Sequence, residues 1–373
     1  MRWLGLFLVC WSAPAGADDD PANLIEYSVQ PANTRSLHVG SAAAYAKARR
    51  ALAKGEPAAA LAALRGRKGS VLNDREAVMA GDAHLALGQS SAAEKDYLRA
   101  IDTAQVQSVV IRAARGLAEV YHKNKKPEQE LAYIEALLSV RGIARRSGLL
   151  LRQANLLSRL GKHKESAGTL RILNLDYPSS QAATLAEPLG RRLARRGHRI
   201  AAFAAGAELG RIRNLIRGRS FQRAETALKR IEKKKKTIRT QMMRAYLLER
   251  QRKRRDEKDL LLEVSKTKMG RYADDVLYRL GRLSMQLDED DDALRYFAQL
   301  NREHPKSKDN EDGQFFSGWV QYNRQKYQDA YTRLSHFAER FPKAKKRTDA
   351  LWYAGFSAYL DGAYGQARTA WER

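Results

Sequence analysis

Seven histidines, one cysteine, an acidic run and two basic runs are the residues whose chemistry must be placed first. His38, His84, His122, His163, His198, His304 and His336 form no HExxH pattern and no i, i+4 pair, the spacing by which one helix face offers two ligands to zinc. The single Cys10 excludes a disulfide framework, a Cys-ligated zinc and an iron–sulfur cluster. No glycine-rich phosphate loop occurs. These absences lead to an expectation of no metal, no cofactor and no catalytic residue within the chain. The run Asp288–Asp292 (DEDDD) lacks the alternating spacers and glycine of a calcium loop, so it reads as charge at a turn and a helix start. The positive runs are different. Lys233, Lys234, Lys235 and Lys236 form one, and Arg252, Lys253, Arg254 and Arg255 the other. Residues 191–271 hold 27 Lys and Arg against 8 Asp and Glu. Such a surplus attracts polyanions by long-range attraction and counterion release, which makes both runs candidate polyanion contacts. Solvated helix faces are the competing reading.

The elements that carry these residues are set by composition and by an internal repeat. The chain has 373 residues, 68 Lys and Arg against 42 Asp and Glu, a net charge of +26, 44% hydrophobic residues and only 9 Pro. It can bury a core, and it favours helix over strand. Gly281, Gly318 and Gly355 lie 37 residues apart. Ala293, Ala330 and Ala367 follow them at +12, Phe297, Leu334 and Trp371 at +16, and Pro305 and Pro342 at +24. The same frame fits Ala48-Gly55-Ala60-Leu64, Gly81-Gly88-Ala93-Tyr97 and Ala154-Gly161-Ser166-Leu170-Pro178. Gly116-Leu117 with Tyr121 and Tyr133 fits with a one-residue slip. Between 190 and 270 the frame blurs; Gly218–Phe221 with Ala224 and Leu228, and Arg244–Tyr246 with Leu260 and Leu262, mark two more repeats.

This pattern resembles the tetratricopeptide repeat, an antiparallel helix pair with small residues at the crossing and a large one filling the gap. The expected fold is all-α: a right-handed superhelical solenoid of about nine tetratricopeptide-like helix pairs, preceded by a cleavable signal peptide. The expected divisions are 1–17 signal peptide, 18–40 extended arm, 41–190 repeats one to four, 191–271 basic degenerate repeats, and 272–373 the 37-residue repeats. The aromatics Trp319, Tyr322, Tyr327, Phe337, Phe341, Trp352, Tyr353, Phe356 and Tyr359 are expected mainly in packing between repeats, a minority lining a binding face.

Met1-Arg2, the apolar run Trp3–Trp11 and the small-x-small Ala15-Gly16-Ala17 have the layout of a secretory signal cleaved near Ala17. The expected compartment is the periplasm, and no transmembrane segment is expected in the mature chain. Secretion also argues against nucleic acid as the partner. Peptidoglycan or another anionic envelope polymer is the expected partner, with an envelope protein as the other.

The stretch GWVQYNRQKYQDAYTRLSHFAERFPKAKKRTDALWYAGFSAYLDGAYGQARTAWER (Gly318–Arg373) resembles the N-terminal superhelical region of soluble lytic murein transglycosylases. That resemblance implies a non-catalytic support for an enzyme that cleaves peptidoglycan and leaves a 1,6-anhydro end. The family's catalytic Glu lies in a Glu-Ser pair followed by Gly-Leu-Met-Gln. Here Glu165-Ser166 is followed by Ala167-Gly168-Thr169-Leu170, so no catalytic role is carried over. On this reading Trp371 lacks its next neighbour and the active domain lies beyond Arg373. The alternative is a stand-alone tetratricopeptide scaffold of outer-membrane assembly or cell division. A cytosolic RNA-binding helical repeat is the third reading.

Overall fold

The computed structural model describes residues 35–65 and 72–373. The expected signal peptide, and the expected arm up to residue 34, lie outside the described residues. The described residues divide into two compact units, one ending at Ala202 and the other spanning Phe203–Arg373. That boundary cuts the basic stretch 191–271, which charge alone had marked as one segment. The described regular structure is entirely helical.

The first unit holds four helix pairs: α1 (Arg35–Ala53) with α2 (Pro57–Leu64), α3 (Asn73–Ala86) with α4 (Ser90–Asp102), α5 (Gln107–Lys123) with α6 (Pro127–Ser139), and α7 (Arg146–Arg159) with α8 (His163–Asp176). Helix α1 begins at Arg35, so the last six residues of the expected arm are helical instead. Two short helices follow, α9 (Gln181–Leu185) and α10 (Glu187–Arg195). They are not a repeat. Leu189 and Leu193 of α10 are buried in the same core as Leu170 and Leu173, while Arg191, Arg192 and Arg195 face solvent. A helix with one apolar stripe and one charged face is the device that closes a stack of repeats.

The second unit holds five pairs: α11 (Ala205–Arg217) with α12 (Phe221–Lys234), α13 (Ile238–Arg250) with α14 (Arg254–Ser265), α15 (Ala273–Gln286) with α16 (Asp290–Glu303), α17 (Lys308–Asn323) with α18 (Tyr327–Arg340), and α19 (Arg347–Leu360) with α20 (Tyr364–Glu372).

One turn geometry joins the two helices of all nine pairs. A residue in the left-handed region sits at the same place each time: Gly55, Gly88, Lys125, Gly161, Arg219, Arg252, Asp288, Gln325 and Gly362. The next residue's N–H donates back across the turn, as Gln89 does to His84 O at 2.8 Å and Ala363 to Ala358 O at 2.9 Å. This closes the first helix by satisfying a carbonyl that helix geometry leaves open. Pro178, Pro305 and Pro342 each stand two residues past the end of a second helix, where no amide is needed.

Seven residues before each turn lies the crossing point, and the packing there is tight. A side chain on Gly281 would meet the Phe297 ring at 2.5 Å, and one on Gly318 would meet Leu334 at 2.6 Å. Gly355 stands in the same way against Trp371. Ala293 and Ala330 are fully buried and Ala367 nearly so. The registers of two blurred repeats differ from the sequence reading. In the third, the turn at Lys125 places Ala118 at the crossing, with Ile134 as the large residue. Gly116 is needed against Tyr97 of the preceding pair instead. In the sixth, Leu261 fills the gap, and Leu260 and Leu262 are only half-buried.

Candidate interaction surfaces

The two basic runs do not form one patch. Lys233–Lys236 lie where α12 gives way to α13, and Arg252–Arg255 where α13 gives way to α14. The 13 residues of α13 separate them by about 20 Å at 1.5 Å per residue. Both runs are exposed. Lys253 lies 3.8 Å from Asp256, an exposed pair worth little.

At the end of the pairs that carries Arg252–Arg255, the acidic run consumes cations. Asp290, Asp291 and Asp292 form the first turn of α16, where the helix dipole favours them. Lys258 of α14 pairs with Glu289 and, at 3.2 Å, with Asp292; Arg324 of the next repeat pairs with Asp291 at 2.6 Å. No group of three metal-ligating side chains occurs among the described residues.

At the opposite end, the turns that lead from each second helix into the next first helix are basic throughout the second unit. Lys233–Lys236 and Arg239 occupy the first, Lys266, Lys268 and Arg271 the next. Arg302, Lys306 and Lys308 follow, then Arg340, Lys343, Lys345, Lys346 and Arg347. Sequence reading singled out only the first of these clusters, because the others are spread across a proline turn and a helix end. The signal that finds them is the 37-residue period applied to charge.

Two buried carboxylates take the crossing position that alanine holds elsewhere. Glu130 on α6 is 3% exposed and meets Arg152 Nε at 2.5 Å and His122 Nδ1 at 3.0 Å. Glu257 on α14 is 4% exposed and meets Arg279 Nη2 at 2.5 Å. Both arginines come from the first helix of the following repeat, two residues before its own crossing point. Burial pushes the Glu257 carboxyl above the usual carboxylate range, and Arg279 partly offsets it. These pairs hold neighbouring repeats in register, and both carboxylates are engaged in doing so. Glu165 is exposed, and the buried Ser166 hydroxyl donates to Ala154 O at 2.7 Å across the helix crossing, a packing role. His163 and His198, far apart in sequence, come together with ring centroids 5.4 Å apart, beside Arg196.

Among the described residues of the second unit, the exposed large apolar side chains are aromatic apart from Leu360. Trp352, Phe356 and Tyr359 lie at i, i+4 and i+7 on α19, on a stripe beside its buried face. The same stripe recurs 37 residues earlier on α17 as Phe315, Trp319 and Tyr322. Phe315 and Phe337 pack into the core there, while Tyr322 joins the two stripes through Tyr353 at 5.2 Å and Phe356 at 6.3 Å. Trp352 is 51% exposed and Tyr359 49%. Tyr364 and Trp371 of α20 extend the ring contacts from Tyr359. On α15 the stripe starts at Tyr278, whose hydroxyl is pushed up to about 12, first by burial and then by Asp312. The aromatics therefore divide: Phe337 is core, Trp319, Tyr322, Tyr327, Phe341, Tyr353 and Phe356 are half-buried, and Trp352 and Tyr359 look outward.

Repeated helix pairs with a shared turn and a shared crossing define a tetratricopeptide-like helical repeat protein. The tetratricopeptide repeat family model matches residues 275–307, which take in almost all of α15 and all of α16. Among solved structures, the chain is similar to a tetratricopeptide repeat protein from Parabacteroides merdae ATCC 43184, at 14% identity, 74% of this chain, 97% of that one and a TM-score of 0.31. It is also similar to a chain in the structure of Naa15/Naa10 bound to HypK-THB, at 13% identity, 85% of this chain, 45% of that one and a TM-score of 0.33. Among curated proteins, none matches this chain. No described helix is long and apolar enough to cross a membrane.

Proposed function

We propose that this chain is a protein–protein interaction scaffold that receives a polypeptide segment along the aromatic stripe of α15, α17 and α19. One observation carries the reading: Trp352 and Tyr359 stand half exposed at helical spacing, at the end of an aromatic series whose earlier member Phe315 is taken up by the core. Large rigid rings with little side-chain entropy to lose supply most of the binding energy in protein interfaces. A photoreactive phenylalanine analogue at position 352 or 359, expressed in the native host, tests this. The reading expects an adduct of discrete mass with another protein from both positions, and none from exposed Thr226 on α12. Self-adducts alone, or equal adducts from all three positions, would overturn it.

A second reading keeps the finer expectation: the scaffold is the non-catalytic part of an envelope lytic transglycosylase, secreted to the periplasm by residues 1–17, with its repeats wound into a right-handed superhelix. What supports it is the resemblance of Gly318–Arg373 to that family, together with the layout of the first seventeen residues. Its test is salt-sensitive co-sedimentation with purified sacculi. A chain that stays in the supernatant at low salt removes this reading and leaves the first untouched.

A further inference from the structure

The basic turns of the second unit lie side by side at one end of its helix pairs. Antiparallel helices place every turn of this kind at the same end, and three contacts show the turns in series. Ser307 Oγ donates to Asp274 Oδ2 at 2.8 Å, Arg340 to Asn301 Oδ1 at 2.9 Å, and Lys346 Nζ to Asp312 Oδ1 at 2.5 Å. Lys236 is also close enough to Glu263, at the next turn, to act on its charge. Some of these cations are engaged inside the protein: Lys266 with Glu263, Arg302 with Glu303, Lys346 with Asp312. Lys233–Lys236, Lys268, Lys306, Lys308, Lys343 and Lys345 are exposed and pair with no acid among the described residues. The edge therefore carries free positive charge at each of four successive turns.

We infer that this edge docks the protein on an anionic lipid surface. Most of the free cations are lysines, beside exposed Arg239 and with Arg271 and Arg340 bonded only to uncharged groups. Lysines are hydrated point charges on flexible stems that suit an array of headgroup phosphates and need no fixed geometry. No large apolar side chain in these turns is strongly exposed, so the edge has no stacking platform for single-stranded bases. Helices meet the edge end-on, so none is presented lengthwise to a nucleic-acid groove. With no apolar wedge, binding is electrostatic and reversible. The edge lies at helix ends while the aromatic stripe lies on helix sides, so this inference stands apart from the proposed protein partner.

The test is co-sedimentation of the full chain with phosphatidylcholine vesicles, with and without phosphatidylglycerol. Binding only to the phosphatidylglycerol vesicles is expected, with loss in about 1 M salt, where the Debye length is ~3 Å. K233E/K235E/K343E/K345E should weaken binding by more than about fivefold per site, the cost of losing a single charge. The same four positions changed to Gln should weaken it less, in the same direction. R252E/R254E, at the opposite end, should lose only the small share that follows net charge. Equal binding to both vesicles, equal loss from both ends, or folded edge variants that bind like the parent would overturn the inference. So would tighter binding to duplex DNA or to sacculi than to phosphatidylglycerol vesicles at equal anionic charge.

Discussion

Gly116 and Gly281 are small because a neighbour's ring occupies the space where a side chain would go. A methyl group on Gly281 would lie 2.5 Å from Phe297, and one on Gly116 would run into Tyr97. Either ring is locked in a packed core, so Gly116→Ala and Gly281→Ala should each cost about 1–3 kcal/mol. Gly210 in α11 meets nothing within 4 Å, so Gly210→Ala should gain up to about 1 kcal/mol. Urea unfolding of the three variants separates these outcomes; equal losses would show that the crossings are not tight. Glu257 gives a second prediction. Its folded carboxyl sits above the ordinary range, so the folded state holds that proton more tightly than the unfolded chain does. The charged form is therefore a cost that grows as pH rises through the folded value and is absent below the ordinary carboxylate range. Arg279 offsets that cost. Arg279→Ala should destabilise by about 3–5 kcal/mol at neutral pH and by clearly less in mild acid, where Glu257 can take a proton. Thermal melts at both pH values check this, and a loss independent of pH would contradict it.

At the scale of the helix pair, stability rests on the left-handed turn residue and on the crossing. Gln325 occupies at φ 59° the slot that Gly88 and Gly362 hold at 75° and 79°. An L side chain there costs about 1–2 kcal/mol, part of which glycine regains. Gln325→Gly should raise the melting temperature and Gly88→Ala should lower it, as calorimetry would show; the same sign for both would contradict the shared turn. This scale also shows what the sequence made legible. Repeats seven to nine were readable because Gly, Ala and a large apolar residue hold all three packing slots. The third, fifth and sixth were blurred for a physical reason. Ile212 holds a crossing slot in place of a small residue, and Glu130 and Glu257 hold slots of the alanine type. A glutamate reads as surface until its arginine, 22 residues further on, is seen beside it. The third repeat fits the frame only with a one-residue slip because Gly116 marks the seam to the preceding pair, two residues before its own crossing at Ala118.

At the scale of the whole molecule, the candidate surfaces were only half legible. The density of Lys and Arg was plain, but adjacency in sequence joined Lys233–Lys236 to Arg252–Arg255, and α13 holds them at opposite ends of the pairs. The basic edge needed four turns brought together by stacking, which no single stretch of sequence displays. The aromatic residues were visible, yet only folding separates Phe337, which fills the core, from Trp352 and Tyr359, which face outward. The closing of the first unit by α10 was not foreseen either, because its Arg-rich face masked Leu189 and Leu193. Leu193→Ala should unseat that helix and cost about 2–5 kcal/mol, with loss of amide protection from 181–195 spreading into α8. Hydrogen exchange confined to α10 itself would contradict a closing role.

The central claim is that the aromatic stripe holds a protein partner. Its most direct measurement is quantitative affinity capture from the native host, comparing the parent chain with a Trp352→Ala/Tyr359→Ala variant of unchanged helical content. The account predicts a defined protein that co-purifies in fixed proportion with the parent and falls at least tenfold with the variant, while K343E/K345E leaves it in place. The same proteins in the same amounts from parent and aromatic variant would contradict it.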